Sequence, residues 1–580
     1  MPYNLIDERW IPVRFRDGTS GLIAPWELTR TEEGRRPVAL DAPRPDFNGA
    51  LIQFLIGLVQ TAFAPKHERM WRRRLANPPE PDELREAFAR YKPAFNLDGH
   101  GPRFMQDAEE LDANRLPIAN LLIDSPTGKT LDDNNDHFVK DRSDWGFSRP
   151  TAAMALLALQ LNAPSGGQGH RTSMRGGGPL TTAILADTSQ SGIGLWHNVW
   201  LNVLPPFEID TTGTSREHDA EALNTKVFPW LIPVAQQAEE DSNDAPVNQD
   251  DVHPLQMYWS MPRRIRLQAP EAMTCAITGA TGTGYMHYVT KNRGINYSWL
   301  WQHPLTPYYY NKDDTMLSVK TSAERLSYRH WLGLVVSEDG GTQPAQIVRK
   351  ALQRLVYSSV RNVLGPQVRL WAFGYDMDNM KARAWRESQM PLYFGARHDA
   401  DSPTKARYQE MQDMLLTFVS QMVQATGTLA DEFKETLRKA LYGSYQKKNN
   451  RLTWNYAAQA DSKSVLQKSL FEDAENRLWQ DTEQEFYAAL REAREVLDGF
   501  DSDFFDNDDL LHDHRKGWLD TLQEHVVRLF DQAAQSSSFA QADPKSIVLA
   551  RKELREAASM RNEEICKILH LPLPSKKRKS

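Results

Sequence analysis

A chain of 580 residues exceeds what one hydrophobic core usually supports, so two or more domains are expected. With 40 % hydrophobic and 25 % charged residues and no apolar run of ~18 residues, the composition fits a soluble globular protein and excludes a membrane-spanning helix. The net charge of −7 excludes no nucleic-acid partner, because the acidic excess sits partly in residues 239–244 and 498–509 while cations cluster at 72–74, 263–266 and 447–451.

The first ten residues, Met-Pro-Tyr-Asn-Leu-Ile-Asp-Glu-Arg-Trp, carry neither a basic region nor an apolar stretch, so no secretory signal is expected. Residues 51–63 and 151–161 are apolar runs that predict buried helices, the second leading straight into a glycine-rich loop. Residues 195–203 and 257–267 predict strands, the latter with Arg264 and Arg266 alternating; 236–251 predicts a polar, acidic surface loop. Cys275 and Cys566 are distant and unaccompanied, which argues against disulfides or a thiolate zinc site and points to a reducing cytoplasm. Beyond residue 400 glycine becomes scarce and apolar residues recur at helical spacing. Helices are predicted at 405–426, 429–447, 464–498, 517–534 and 543–569, with an acidic loop at 498–513. The expected class is therefore α+β: a large mixed N-terminal domain of irregular sheets and helices over residues 1–400, a C-terminal antiparallel four-helix bundle over 401–570, and a basic tail over 571–580.

The stretch Ser165-Gly-Gly-Gln-Gly-His-Arg-Thr-Ser-Met-Arg-Gly-Gly-Gly-Pro-Leu-Thr-Thr182 places six glycines among His170, Arg171 and Arg175. Glycine admits positive φ and close approach to the main chain, and successive free N–H groups form an anion-binding concavity. Two readings stand: a phosphate or groove contact, and a structural turn between a helix and a strand. No nucleophile–base pair or Lys-Ser/Thr step follows the loop, so it reads as a nucleic-acid clamp before it reads as a catalyst. Other motifs are weaker. Ser125-Pro-Thr-Gly-Lys-Thr130 ends like a phosphate-binding loop but has Ile123 where that pattern requires glycine, and Gly279-Ala-Thr-Gly-Thr-Gly284 is better read as a hairpin or loop. His398-Asp399 and His512-Asp513-His514 would be fragments of a metal site, or simply solvated acidic segments. The Lys576-Lys-Arg-Lys579 run is a short basic tail.

Five segments occur in order along the chain: Asn4-Leu-Ile-Asp-Glu-Arg-Trp-Ile-Pro-Val13, Pro102-Arg-Phe-Met-Gln106, Arg175-Gly-Gly-Gly-Pro-Leu-Thr-Thr182, Leu300-Trp-Gln-His-Pro304 and Leu437-Arg-Lys-Ala-Leu-Tyr442. Together they resemble the large subunit (CasA family) of the type I-E CRISPR surveillance complex, Cascade. The resemblance implies a non-catalytic subunit of an RNA-guided antiviral complex. Its partners would be other Cascade subunits, guide RNA, target double-stranded DNA and a separate helicase-nuclease, with no membrane, metal or other cofactor. Guide pairing would read the target, while this chain would check the short protospacer-adjacent motif (PAM) and start R-loop formation. The alternative is a metal-dependent nuclease of the same defence system, built on His398 and Asp399 or the segment around His512.

The resemblance also assigns residues. The glycine loop Gly166, Gly167, Gln168 and Gly169 would lie in the minor groove, about 6 Å wide. Lys291, or Arg293 beside it, would be the lysine finger. Asn379 and Met380, at the tip of Gly374-Tyr-Asp-Met-Asp-Asn-Met-Lys381, would be the wedge that splits the first base pairs. Met supplies an apolar insert and Asn a hydrogen-bonding edge. Phe138, Val139 and Lys140 would dock the chain on its complex. Arg438, Lys439, Lys447, Lys448 and Arg451 would contact DNA from the bundle, with a solvated helix face as their other reading. Trp145-Gly-Phe-Ser-Arg149 and a lone Cys275 stand where some relatives carry cysteine pairs, so no zinc is expected.

Overall fold

Pro45 and Asp46 start the helix Pro45–Ala62: proline lacks only an N–H that the first turn would leave unpaired, and the carboxylate faces the positive end of the helix dipole. Most side chains that follow are apolar, and the helix is buried nearly all round. Its Phe54 meets Trp10 edge-on at 5.1 Å and Trp259 at 5.9 Å, and Phe95 and Phe104 complete the cluster. The computed structural model describes residues 2–32, 34–125, 142–164, 170–209, 224–234, 246–298, 301–321, 326–336, 341–355, 357–365, 367–378, 381–392, 405–446, 451–454, 465–499 and 510–573.

The chain forms two units: Met1–Ala323, Gly333–Leu355 and Ser359–Leu392 make the first, and Glu324–Leu332, Val356–Ser358 and Tyr393–Ser580 the second. The first mixes helices with small antiparallel sheets. One joins β1 (Ile11–Phe15) to β2 (Ser20–Ile23) and β3 (Pro37–Leu40). Another places β10 (His287–Lys291) between β4 (Arg115–Pro117) and β7 (Arg264–Leu267). In a third, β9 (Thr281–Tyr285) lies between β5 (Phe147–Ser148) and β8 (Glu271–Thr274). The hairpin of β11 (Tyr308–Tyr310) and β12 (Met316–Ser318) adds β13 (Thr342–Gln343). The longest ribbon is β14 (Val368–Asp378) with β15 (Lys381–Leu392); β14 also pairs with β6 (Thr181–Ala186).

Residues 195–203 are not a strand. Leu195–Trp200 is a helix whose side chains are all buried, with Trp196 and Trp200, four apart, stacked at 4.9 Å. Asn198 and Asn202, four apart, then bond the open edge of β6. Asn198 Oδ1 accepts from the Ala186 N–H, and Asn202 both accepts from and donates to Ile184. Residues 257–267 also differ from expectation. A 3-10 turn spans Pro254–Tyr258, and the strand begins only at Arg264, after Pro262, which has no N–H to give a sheet. The glycine-rich segment 279–284 does form part of a hairpin: Gly279 sits at φ +70° in the turn between β8 and β9.

The second unit is mainly helical. The long helix Lys405–Tyr442 runs without a break past Gly427, where the sequence predicted two helices. It is followed by the ribbon β16 (Gly443–Gln446) and β17 (Arg451–Trp454). The predicted helix 464–498 divides instead at Thr482 into Val465–Asp481 and Glu483–Gly499. Thr482 hydrogen-bonds the buried Tyr328 hydroxyl at 2.8 Å, and Tyr328 stacks on Phe486 at 4.2 Å. Helices His512–Ala534 and Pro544–Ala557 pack against the long helix, and Glu563–Ile568 ends the series.

Candidate nucleic-acid interface

The helix Arg149–Asn162 delivers the chain to the glycine-rich stretch, and β6 carries it away. Gly166, Gly167, Gln168 and Gly169 lie outside the described residues, but the stem on either side is defined. Ser173 N–H donates to Ala163 O at 3.0 Å, and Gly178 N–H donates to Asn162 O at 3.3 Å. On the outgoing side, the Arg263 guanidinium bonds Pro164 O, and Gln160 bonds both Arg263 N–H and Arg263 O. On the return side Gly176 and Gly178 adopt φ of +81° and +60°, the left-handed region that favours glycine.

Arg175 does not face a ligand. It is buried, and its guanidinium donates to Gln53 Oε1 at 2.5 Å and to the hydroxyls of Thr181 and Thr306 at 3.0 Å each. Burial pulls its pKa down to about 10, and burial does the same to Arg263. His170, half-buried beside Arg263, is also lowered, first by burial and then by that cation. Of the cations that suggested an anion site, Arg175 is instead a brace tying the stem to the central helix. The basic cluster 263–266 is similarly committed: Arg264 pairs with Asp107 at 2.7 Å and Glu109 at 3.0 Å, and Arg266 with Glu110 at 2.7 Å.

Two predicted elements converge on this stem. The first is the β14–β15 ribbon. A Cβ on Gly178 would stand 2.6 Å from Tyr375 O and 2.7 Å from Met377 Cγ, and one on Gly374 would stand 2.7 Å from Pro179 O. The ribbon's last described pair is Asp378 with Lys381; Asn379 and Met380 between them lie outside the described residues. Below the tip, Arg383 pairs with buried Asp376 at 2.7 Å and with Asp378 at 3.3 Å. The Tyr375 hydroxyl donates to Asp46 Oδ2 at 2.5 Å, fixing the ribbon to the start of the central helix.

The second is the finger segment. Lys291 ends β10 opposite Arg264, and Arg293 takes φ +61° in the turn that follows. Both are exposed, and neither makes an ion pair among the described residues. A Cβ on Gly294 would overlap the Pro262 carbonyl, so this turn lies against the backbone leading into Arg263 and the stem.

The predicted docking residues Phe138, Val139 and Lys140 lie outside the described residues. The flanks of their segment are joined, Arg142 standing 3.6 Å from Asp124 and over the Trp145 ring at 4.7 Å. Asp124 in turn pairs with Arg44 at 2.9 Å, and Arg44 with Asp46 at 2.9 Å. Sequence reasoning missed this chain of charges linking the segment to the ribbon; its visible sign was the helix-start triplet Arg44-Pro45-Asp46.

In the helical unit Arg438 is partly occupied, 3.7 Å from Glu435 and over the Phe471 ring at 5.0 Å. Lys439 is half-buried with no ion pair among the described residues. Lys447 and Lys448 lie outside the described residues, and Arg451 is placed only as part of β17. His398 and Asp399 are likewise outside them, whereas His512 and His514 begin a helix. Among the described residues no three His, Cys, Asp or Glu side chains gather as a metal site. Cys275 is buried; burial raises its pKa, but hydrogen bonds with Ser148, Thr151 and Thr278 outweigh this and bring it to about 7.

The model of the family described as CRISPR-associated protein Cse1 matches residues 4–529. The chain belongs to the Cse1 family. Solved structures agree on its fold. CasA of Thermus thermophilus superposes with a TM-score of 0.65 at 17 % identity, covering 96 % of this chain and 99 % of that one. Cse1 of Acidimicrobium ferrooxidans gives 0.65 at 16 %, covering 98 % and 99 %. A chain of a CRISPR RNA-guided surveillance complex gives 0.62 at 14 %, covering 96 % and 99 %. The Cse1 segments seen in the sequence have structural tasks here. Phe104 joins the aromatic cluster, and Gln106 accepts from Leu267 N–H at 2.9 Å. His303 accepts from Leu305 N–H at 3.1 Å, and Leu305 O receives Thr182 N–H at the start of β6.

Proposed function

We propose that this chain is the non-catalytic recognition subunit of an RNA-guided antiviral complex in the cytoplasm. It reads the PAM in duplex DNA from the minor groove, begins strand separation, and licenses a separate helicase-nuclease. The observation that carries this is the convergence of the β14–β15 ribbon and the Lys291–Arg293 turn on the stem of the glycine loop. A loop without side chains suits close inspection of base-pair edges. Exposed cations beside it suit groove acceptors and phosphates. A ribbon fixed just below its tip by Tyr375 and Asp46 suits a wedge, with Asn379 and Met380 entering a base step at a cost of about a few kcal/mol. Capture of the backbone comes first, then inspection, insertion and hybridisation of guide to target. The segment holding Phe138, Val139 and Lys140 docks the chain on its complex. The second unit, read as an antiparallel four-helix bundle, presents Arg438, Lys439, Lys447, Lys448 and Arg451 to DNA.

The test is binding of the reconstituted complex, with and without this chain, to target duplexes that differ only in the flanking trinucleotide, at fixed salt. Affinity should depend on the flank only when the chain is present, and Gly167→Val or Lys291→Ala should erase the difference. Gly178→Ala, which would push on the ribbon just below its tip, should weaken strand opening more than duplex capture. Flank-independent affinity would reject the proposal.

A further inference from the structure

Beside the return side of the stem lies a cation that neither composition nor motif singled out. The segment after β12 is zipped to the stem. Ser318 Oγ donates to Arg175 O at 2.5 Å, Leu180 N–H donates to Val319 O at 2.9 Å, and Lys320 forms an antiparallel bridge with Pro179. Ser318 and Lys320 are two apart on extended chain, so both side chains leave on the same side. Ser318 spends its hydroxyl on the stem, and Lys320 lays its end across Gly176. A Cβ at Gly176 would stand 3.3 Å from Lys320 Cε and 3.4 Å from Nζ. Glycine at 176 therefore leaves room for that ammonium. Lys320 is exposed, and no carboxylate among the described residues lies within 4.0 Å of it. The stem holds the backbone at Lys320, and its exposed ammonium has no acidic partner among those residues, so no ion pair has to break when it meets an anion.

We propose that Lys320 is a phosphate-contact residue that seats one DNA strand beside the glycine loop. This rests on the motif-reading function above and adds a residue to it. The two sides of the stem then carry one cation site each: Lys320 on the return side, and the Lys291–Arg293 turn, joined through Arg263, on the outgoing side. A ligand entering the minor groove is bordered by phosphates of both strands, and two such sites match that arrangement. The contact carries no sequence information itself; it sets the register of the duplex on the loop.

The experiment measures affinity of the reconstituted complex for duplexes with preferred and disfavoured flanks across a potassium chloride series. Lys320→Gln should lower the slope of log affinity against log salt by about 0.9, the value for one phosphate contact on B-DNA, and weaken both flanks by the same factor. Lys320→Arg should restore the slope. Lys312→Gln, an equal charge loss at the exposed tip of the same hairpin, should leave it unchanged. An unchanged slope in Lys320→Gln, or an equal drop in Lys312→Gln, overturns the assignment. Flank-independent binding by the unmodified complex would overturn the motif reading, while the slope would still decide Lys320.

Discussion

Arg175 and Lys320 show how little residue type says about role. Both are cations touching the same glycine-rich return strand, yet one is buried among Gln53, Thr181 and Thr306 while the other is exposed over Gly176. The difference predicts opposite phenotypes. Arg175→Met leaves three buried acceptors without their donor and should destabilise the first unit by roughly 2–4 kcal/mol, read by denaturant unfolding. Its salt slope for DNA, measured at a temperature where the variant is folded, should not change. A loss of slope in Arg175→Met would mean that the guanidinium reaches phosphate after all.

At the scale of elements, local propensity and tertiary packing disagreed at identifiable places. Gly427 argued for a helix end, but the long helix continues through it, and its nearest neighbour across a missing Cβ is Trp479 at 3.9 Å. Gly517 sits inside the helix His512–Ala534 with open space around it. Neither glycine is required by φ or by contact, so Gly427→Ala and Gly517→Ala should each stabilise the helical unit by roughly 0.5–1 kcal/mol, seen as a higher denaturation midpoint. Destabilisation by either would show that the helix needs flexibility there. Gly178 is the contrast: the Tyr375 carbonyl leaves no room for a side chain, and the positive φ disfavours one.

Across the whole molecule, buried and half-buried histidines set a common acid limit. Burial lowers His197 in the first unit and His330 in the second from the ordinary 6.5 to about 4, and holds His303 well below its usual range. As pH falls below 6.5 the unfolded chain takes up these protons first, so stability is full above that pH and declines towards pH 4. For His197, which is 4 % exposed, the loss is on the order of 3 kcal/mol. Unfolding measured at pH 7.5 and pH 5 should show this decline, and His197→Asn should reduce it. A stability independent of pH over that range would contradict the neutral state of these rings.

The sequence alone determined the family, the change to helix beyond residue 400, the buried helices at 51–63 and 151–161, and the segments to watch. These rest on apolar periodicity and ordered motifs, which are local properties of a chain. It could not separate a strand from a helix at Leu195–Trp200, where aromatic and branched residues suit either and the decision fell to Asn198 and Asn202 meeting the β6 edge. Nor could it tell which cations face inward. That depends on partners more than a hundred residues away, as with Arg175 and Gln53 or Arg264 and Asp107. The joining of ribbon, finger turn and Lys320 on one stem is likewise a product of tertiary structure, because only folding brings residues 176, 294, 320 and 375 to the same short loop.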